Sequence, residues 1–113
     1  MPDIVLINVE DALKRVVNNK KLYAKLLTKF KDDNNLKELE DFLSAGDFEK
    51  AKSAVHTLKG LAANLSLVEL HKQSLEMESQ LKNNQINPNQ IDEVKKAFSI
   101  TLVEMDKVIK QYE

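Results

Sequence analysis

Residues 47–65 read DFEKAKSAVHTLKGLAANL, and the rest of the chain can be interpreted outward from this stretch. Its apolar residues recur every three or four positions, which places them on one face of an α-helix. They are Phe48, Ala51, Val55, Leu58, Ala62 and Leu65. Asp47 is a favourable N-cap residue, and Gly46 before it is typical of the position just after a helix end. The stretch therefore predicts an amphipathic helix over 48–64.

Helical spacing of apolar residues continues on both sides of this stretch. Asn8 is the expected cap of a short helix over 9–17, and longer helices are predicted over 20–45, 67–83 and 88–112. The residues from Asp32 to Asn35 are all polar, so a break there is the alternative to one continuous helix over 20–45.

Two further start signals are present. Ser66 with Glu69 has the pattern of a capping box, and Asn87-Pro88 with Gln90 resembles a cap, a first-turn proline and its capping partner. Neither strand alternation nor an internal repeat is present. The prediction is an all-α, antiparallel four-helix bundle, with the helix over 9–17 covering one end, in a single domain over 1–113.

Composition narrows the class of protein. The chain has 113 residues, of which 31% are charged and 42% are hydrophobic, with a net charge of −1 and no cysteine. These values favour a folded protein without disulfides or thiolate metal sites, and they give no support to nucleic-acid binding. No apolar run reaches the roughly 18 residues of a membrane span. We therefore expect a cytoplasmic protein with no membrane partner.

His56, Lys59 and Gly60 share one face of the predicted helix over 48–64. His56 lies about 100° around the helix from Val55, beside the apolar stripe. An exposed imidazole is largely neutral at pH 7 and is a competent nucleophile. Gly60 costs about 1 kcal/mol relative to alanine in a helix, so it requires a reason. Close approach of a partner to His56 is one interpretation, and a surface histidine without a function is the other.

The run from His56 to Leu65, HTLKGLAANL, resembles the signature of histidine-containing phosphotransfer (HPt) domains, His-x-Leu-Lys-Gly-x-Ala-x-x-Leu. Residues 21–30 (KLYAKLLTKF) resemble the helix that precedes it in that family, and residues 44–47 (SAGD) resemble the intervening turn. The likeness covers roughly residues 8–112. One position departs from the pattern, because Ser66 stands where the family usually has glycine. A positive φ there would strain a serine by about 1 kcal/mol.

The resemblance implies a function. His56 would carry the phosphoryl group, Lys59 would contact it, and Gly60, with Ala63 and Lys52 on the same face, would admit a response-regulator receiver domain. The chain would act as a monomeric carrier rather than an enzyme, serving receiver domains and a hybrid sensor histidine kinase. It would bind no cofactor, since Mg²⁺ would be held by the receiver. The alternative is a helical adaptor that docks partners without being phosphorylated.

Hairpin geometry and the resemblance together single out Glu78. With a turn at residues 65–66, His56 lies opposite about position 75, so Glu78 is within one turn of it. The family often has Gln or Glu at the corresponding place, where a carboxylate would accept the Nδ1 proton and leave Nε2 free. A solvated charge on a helix face is the alternative for Glu78.

Other candidates are weaker. His71 has no acidic or histidine partner at metal-ligand spacing, so no metal site is predicted, and a di-metal bundle enzyme is disfavoured because the chain has no Glu-x-x-His pair. The N-terminal third is basic, either as a solvated face or as a surface that steers an acidic receiver. Its basic residues are Lys14, Arg15, Lys20, Lys21, Lys25, Lys29 and Lys31.

Overall fold

The computed structural model describes residues 6–113, so the first five residues of the predicted 1–113 domain lie outside it. The described residues form six α-helices and contain no strand. In chain order the helices are α1 (Val9–Arg15), α2 (Lys20–Lys31), α3 (Asn35–Ser44), α4 (Phe48–Asn64), α5 (Val68–Lys82) and α6 (Gln90–Tyr112). None of them has both the length and the apolar character needed to cross a membrane.

The long helices pack side by side around one apolar core, which is the helical bundle expected from the sequence. Helix α4 lies between α3 and α5, and α6 packs against both α5 and α2. The fully buried side chains include Tyr23, Leu27, Leu39, Val55, Leu58, Leu70, Met77, Val94 and Met105. Short α1 lies at the turn that joins α4 to α5.

The predicted helix over 20–45 is interrupted, so the less favoured alternative at this point is the correct one. Helix α2 ends at Lys31 and α3 begins at Asn35. The Asp33 carboxylate accepts a hydrogen bond from the backbone N–H of Asn35 at 2.8 Å. Short polar side chains compete in this way with helical backbone bonds, and the break lets α2 pack on α6 while α3 packs on α4.

Several predicted helix ends are confirmed. Asn8 accepts a hydrogen bond from the Asp11 N–H at 3.1 Å, and Asp47 accepts one from the Lys50 N–H at 3.2 Å. Gly46 has φ +71°, and its N–H donates to the Leu43 carbonyl at 3.1 Å. This left-handed residue closes α3 in a Schellman motif and directs the chain into α4.

The capping box predicted at Ser66 is wrong. Ser66 has φ +58°, and its N–H donates to the Ala63 carbonyl at 3.1 Å, so it terminates α4 instead of starting α5. Leu67 occupies the N-cap position of α5. The Ser66 hydroxyl donates to Asp11 Oδ2 at 2.7 Å, which ties α1 to the α4–α5 turn. Ser66 therefore adopts the left-handed conformation for which glycine is the usual residue.

Two other boundaries differ from the prediction. Helix α6 begins at Gln90 rather than residue 88, because the Asn87 side chain accepts from the Asn89 N–H at 2.9 Å and forms a turn before the helix. The Gln90 side chain does not reach back to cap the helix. It donates instead to the Gln73 carbonyl at 3.1 Å. Helix α1 ends at Arg15, and the chain then turns through Val17 and Asn18, which have φ +52° and +59°.

A buried tyrosine fixes the C-terminal end of α4. The Tyr23 hydroxyl donates to the Leu65 carbonyl at 2.7 Å, so it satisfies one of the carbonyls left free at a helix end. Burial is the main cause that raises the pKa of the Tyr23 hydroxyl, and the nearby Tyr112 adds to the increase. The phenol is therefore a permanent donor that links α2 to the helix carrying His56.

Candidate functional site

Helix α4 presents His56 at the surface while its opposite face is in the core. Val55 and Leu58 are 0% and 1% exposed, whereas the His56 side chain is 69% exposed. The strict apolar spacing of α4 fixes this orientation, because rotating the helix to bury His56 would expose the core residues. The imidazole is therefore accessible to a partner.

One nitrogen of the imidazole is hydrogen-bonded to a buried carboxylate. His56 Nδ1 lies 2.6 Å from Oε2 of Glu78 on α5, and the Glu78 side chain is only 3% exposed. An ionised carboxylate only accepts hydrogen bonds, so Nδ1 carries the proton. In the neutral ring the lone pair then belongs to Nε2, for which residues 6–113 supply no hydrogen-bond partner. The contact orients the ring with Nε2 as its free nitrogen.

Two lysines neutralise the Glu78 carboxylate. Lys59 Nζ donates to Glu78 Oε1 at 2.6 Å, and Lys82 Nζ lies 3.8 Å from the same oxygen. Burial alone would raise the pKa of Glu78, but hydrogen bonds from Lys59 and His56 and the charges of both lysines outweigh it. The pKa of Glu78 consequently lies below its ordinary value, and the residue is ionised at neutral pH.

The surface beside His56 carries no long side chain on the C-terminal side, because Gly60 and Ala63 follow it on the same face of α4. A Cβ built on Gly60 would meet no atom of residues 6–113 within 4 Å beyond its own stretch of helix. The backbone of Gly60 also lacks the positive φ that would favour glycine. Neither internal packing nor conformation therefore accounts for this glycine. Ala63 continues the low surface one turn further along, and it is half-buried.

The remaining predicted residue of this face is Lys52, which lies one turn before His56. Its ammonium is 3.3 Å from Glu49 Oε1 on the same helix.

On the α2 side, a cleft of about 310 Å³ adjoins the face. It is lined by Leu26, Lys29, Phe30, Asp33, Leu61, Asn64 and Leu65. The site is therefore bordered by a mainly apolar cleft whose charged lining residues are Lys29 and Asp33.

The structure brings together His56, Lys59 and Glu78, and it adds Lys82, which the sequence analysis missed. A lysine four residues after a glutamate on a helix is the signal that could have identified it. His71 lies elsewhere, in a cleft beside Asp11 and Arg15. Within the described part of the chain, no group of three or more histidine and acidic residues could hold a metal ion.

The chain is therefore a helical bundle that presents one oriented, exposed histidine. The small residues Gly60 and Ala63 lie beside this histidine on the same face of α4. The family model of the Hpt domain matches residues 25–107 of the 113 residues, and the chain belongs to this family. Hpt domains carry phosphoryl groups on histidine in two-component phosphorelays, in which they interact with receiver domains and kinases. Comparisons with curated proteins and with solved structures gave no match.

Proposed function

We propose that this protein is a phosphorelay intermediate that accepts a phosphoryl group on His56 Nε2. The donor is an aspartyl phosphate of one receiver domain, and the acceptor is an aspartate of another. The observation that carries the proposal is the 2.6 Å contact between His56 Nδ1 and Glu78, combined with a ring that is 69% exposed. A buried anion at one ring nitrogen and open solvent at the other are what a surface nucleophile requires.

In the transfer step, the bond between phosphorus and the aspartyl oxygen breaks while the bond to Nε2 forms. The aspartyl carboxylate leaves with the electron pair, and the imidazole becomes cationic because Nδ1 keeps its proton. Glu78 stabilises this positive charge, and Lys59 provides a cation for the phosphoryl oxygens. Transfer depends mainly on positioning and charge neutralisation, so this chain needs no nucleotide site or catalytic activity of its own.

Gly60 and Ala63 support docking of a receiver domain. The receiver must bring its aspartate to within bonding distance of Nε2, and a long side chain at residue 60 would stand between the two surfaces. Lys52 extends the docking face by one turn. The receiver supplies Mg²⁺, and the donor receiver belongs to a hybrid sensor histidine kinase. In this proposal the carrier is a cytoplasmic monomer that holds no cofactor and does not bind nucleic acid.

A radiolabelled transfer experiment tests the proposal. The chain is incubated with a phosphorylated receiver, and acid-labile, base-stable label is expected because phosphohistidine has this stability. His56→Gln should abolish the label. His71→Gln is the matched control, since the chain has two histidines, and it should retain the label. Label remaining on His56→Gln would exclude the assigned site. Absence of label with every cognate receiver would favour the adaptor that only docks partners.

A further inference from the structure

In the unphosphorylated protein, two lysine ammonium groups lie near the single negative charge of the Glu78 carboxylate. Oε1 already receives a hydrogen bond from Lys59 at 2.6 Å, and Oε2 receives the Nδ1 proton of His56 at 2.6 Å. Lys82 Nζ lies 3.8 Å from Oε1, which is beyond hydrogen-bond distance, and the Lys82 side chain is 59% exposed. Lys59 is 22% exposed. The two lysines therefore differ, since Lys59 is hydrogen-bonded and largely buried, whereas Lys82 is exposed and not hydrogen-bonded to Glu78.

Formal charges show what the second lysine changes. With a neutral imidazole, Glu78, Lys59 and Lys82 leave one positive charge in excess. Phosphorylation adds a group of about −2 charge at pH 7, on a ring that becomes cationic because Nδ1 keeps its proton. The net addition is one negative charge, so the phosphorylated cluster is neutral with Lys82 and negative without it.

The attachment of Lys59 to Glu78 also creates a competition. A phosphoryl group on Nε2 attracts the Lys59 ammonium, which lies one helical turn from His56. If Lys59 moves toward the phosphoryl oxygens, Oε1 of a carboxylate that is 3% exposed loses its hydrogen bond. A buried carboxylate oxygen without a hydrogen bond is unfavourable, even though Oε2 keeps the Nδ1 proton of His56. Lys82 needs to approach by only about 1 Å to reach hydrogen-bond distance from Oε1.

We propose that Lys82 is a positioning residue that replaces Lys59 at Glu78 Oε1 when Lys59 turns to the phosphoryl group on His56. The exchange keeps Glu78 ionised and the Nδ1 proton in place through both states. Lys82 therefore acts through Glu78 and does not contact the phosphoryl group. This inference rests on the proposed function, because it assigns a response of the same site to phosphorylation.

The first test needs no phosphorylation. Nitrogen-15 NMR of the imidazole ring reports which nitrogen of His56 carries the proton. In Lys59→Met, Lys82 should take over at Oε1 and the proton should stay on Nδ1. In Lys59→Met/Lys82→Met the Nδ1-protonated pattern should be lost. Lys59→Met/Lys82→Arg should restore it, and Lys59→Met/Lys72→Met is the control on the same helix. An unchanged ring pattern in the Lys59→Met/Lys82→Met protein would overturn the proposal.

The second test compares the two states of the protein. The wild type, Lys82→Met and Lys72→Met are loaded on His56 with phosphoramidate, and urea unfolding is followed at pH 8 with and without the phosphoryl group. Lys82→Met should lower the urea midpoint of the phosphorylated form by about 0.5 M more than that of the unphosphorylated form. Lys72→Met should shift both forms equally.

The outcomes separate the two proposals. Equal losses in both forms of Lys82→Met would overturn the role of Lys82 and leave the carrier function intact. Failure of phosphoramidate and of phosphorylated receivers to label His56 would overturn the carrier function and, with it, the exchange of lysines.

Discussion

Glu78 and His56 are 22 residues apart in the chain, yet Oε2 of the glutamate lies 2.6 Å from Nδ1 of the histidine. The pair joins a carboxylate that is 3% exposed to a ring that is 69% exposed. One helix thus supplies the nucleophile and its neighbour supplies the group that orients it.

Replacing Glu78 with Gln should slow phosphotransfer by about tenfold to a hundredfold. The substitution removes a hydrogen bond to a charged group, which is worth about 1.5–3 kcal/mol, and each 1.36 kcal/mol is a factor of ten in rate. The amide can also donate to Nδ1 and so place the proton on Nε2. Single-turnover transfer from a phosphorylated receiver measures the effect, with Glu76→Gln on the exposed side of α5 as the control. A rate equal to wild type would show that Glu78 does not orient the ring.

The difference in folding stability between wild type and Glu78→Gln should depend on pH, because Glu78 is ionised in the folded protein. The pKa of Glu78 in the folded protein lies below its ordinary value of 4.5, so the ionised carboxylate stabilises the fold. This contribution is fully present above 4.5 and is lost as the pH falls through the lower folded pKa. The stability difference between wild type and Glu78→Gln should therefore shrink on acidification below pH 4.5. Urea unfolding at several pH values tests this, and a difference independent of pH would contradict it.

Gly60→Gln should separate stability from function. Because Gly60 has free space around its Cβ position and no positive φ, the new side chain should stabilise the helix by up to about 1 kcal/mol. The same side chain should obstruct the receiver and strongly reduce transfer. Ser99→Gln, at an exposed position on α6, adds a side chain of the same size away from His56. Undiminished transfer by Gly60→Gln would contradict the docking surface.

Ser66 permits a stability test of the α4–α5 turn. Ser66→Ala loses the hydrogen bond to Asp11 but keeps the strain of φ +58°, whereas Ser66→Gly loses the bond and relieves the strain. The glycine variant should therefore be more stable than the alanine variant by about 1 kcal/mol. Urea unfolding measures both. If the alanine variant is as stable as the glycine variant, the left-handed conformation costs nothing at this position.

The basic N-terminal third is expected to accelerate receiver association through α2. Lys14, Arg15 and Lys31 lie in ion pairs with acidic residues, and the Lys20 ammonium lies over the Tyr112 ring. The remaining three, Lys21, Lys25 and Lys29, form an exposed row on α2. Replacing this row with Gln should lower the association rate by about tenfold at low salt and flatten its salt dependence. Lys96→Gln/Lys110→Gln on α6 is the control. A salt-independent rate in wild type would identify the row as a solvated face.

Much of the fold could be predicted because it depends on local signals. The apolar stripes, the caps at Asn8 and Asp47 and the turn at Gly46 involve contacts between residues a few positions apart. The break after Lys31 was ambiguous, because a polar run such as Asp32–Asn35 can continue a helix or end one. At Ser66 two local signals conflicted. Its residue type favoured an N-cap, but the turn required a left-handed residue there.

The candidate site was predicted less completely. The face of His56, Lys59 and Gly60 follows from helical spacing alone, and the turn at residues 65–66 places Glu78 near His56. The approach of two lysines to one carboxylate oxygen could not be predicted, because it depends on side-chain conformations at a helix–helix contact. The hydrogen bond from Ser66 to Asp11 likewise depends on how the N-terminal segment crosses the turn.

Phosphorylation of His56 at Nε2 is tested most directly by heteronuclear NMR of the phosphorylated, nitrogen-15-labelled protein. We expect a phosphorus coupling to Nε2 of His56 alone, with the proton still on Nδ1 and in contact with Glu78. A phosphoryl group on Nδ1 of His56, or on His71, would contradict it.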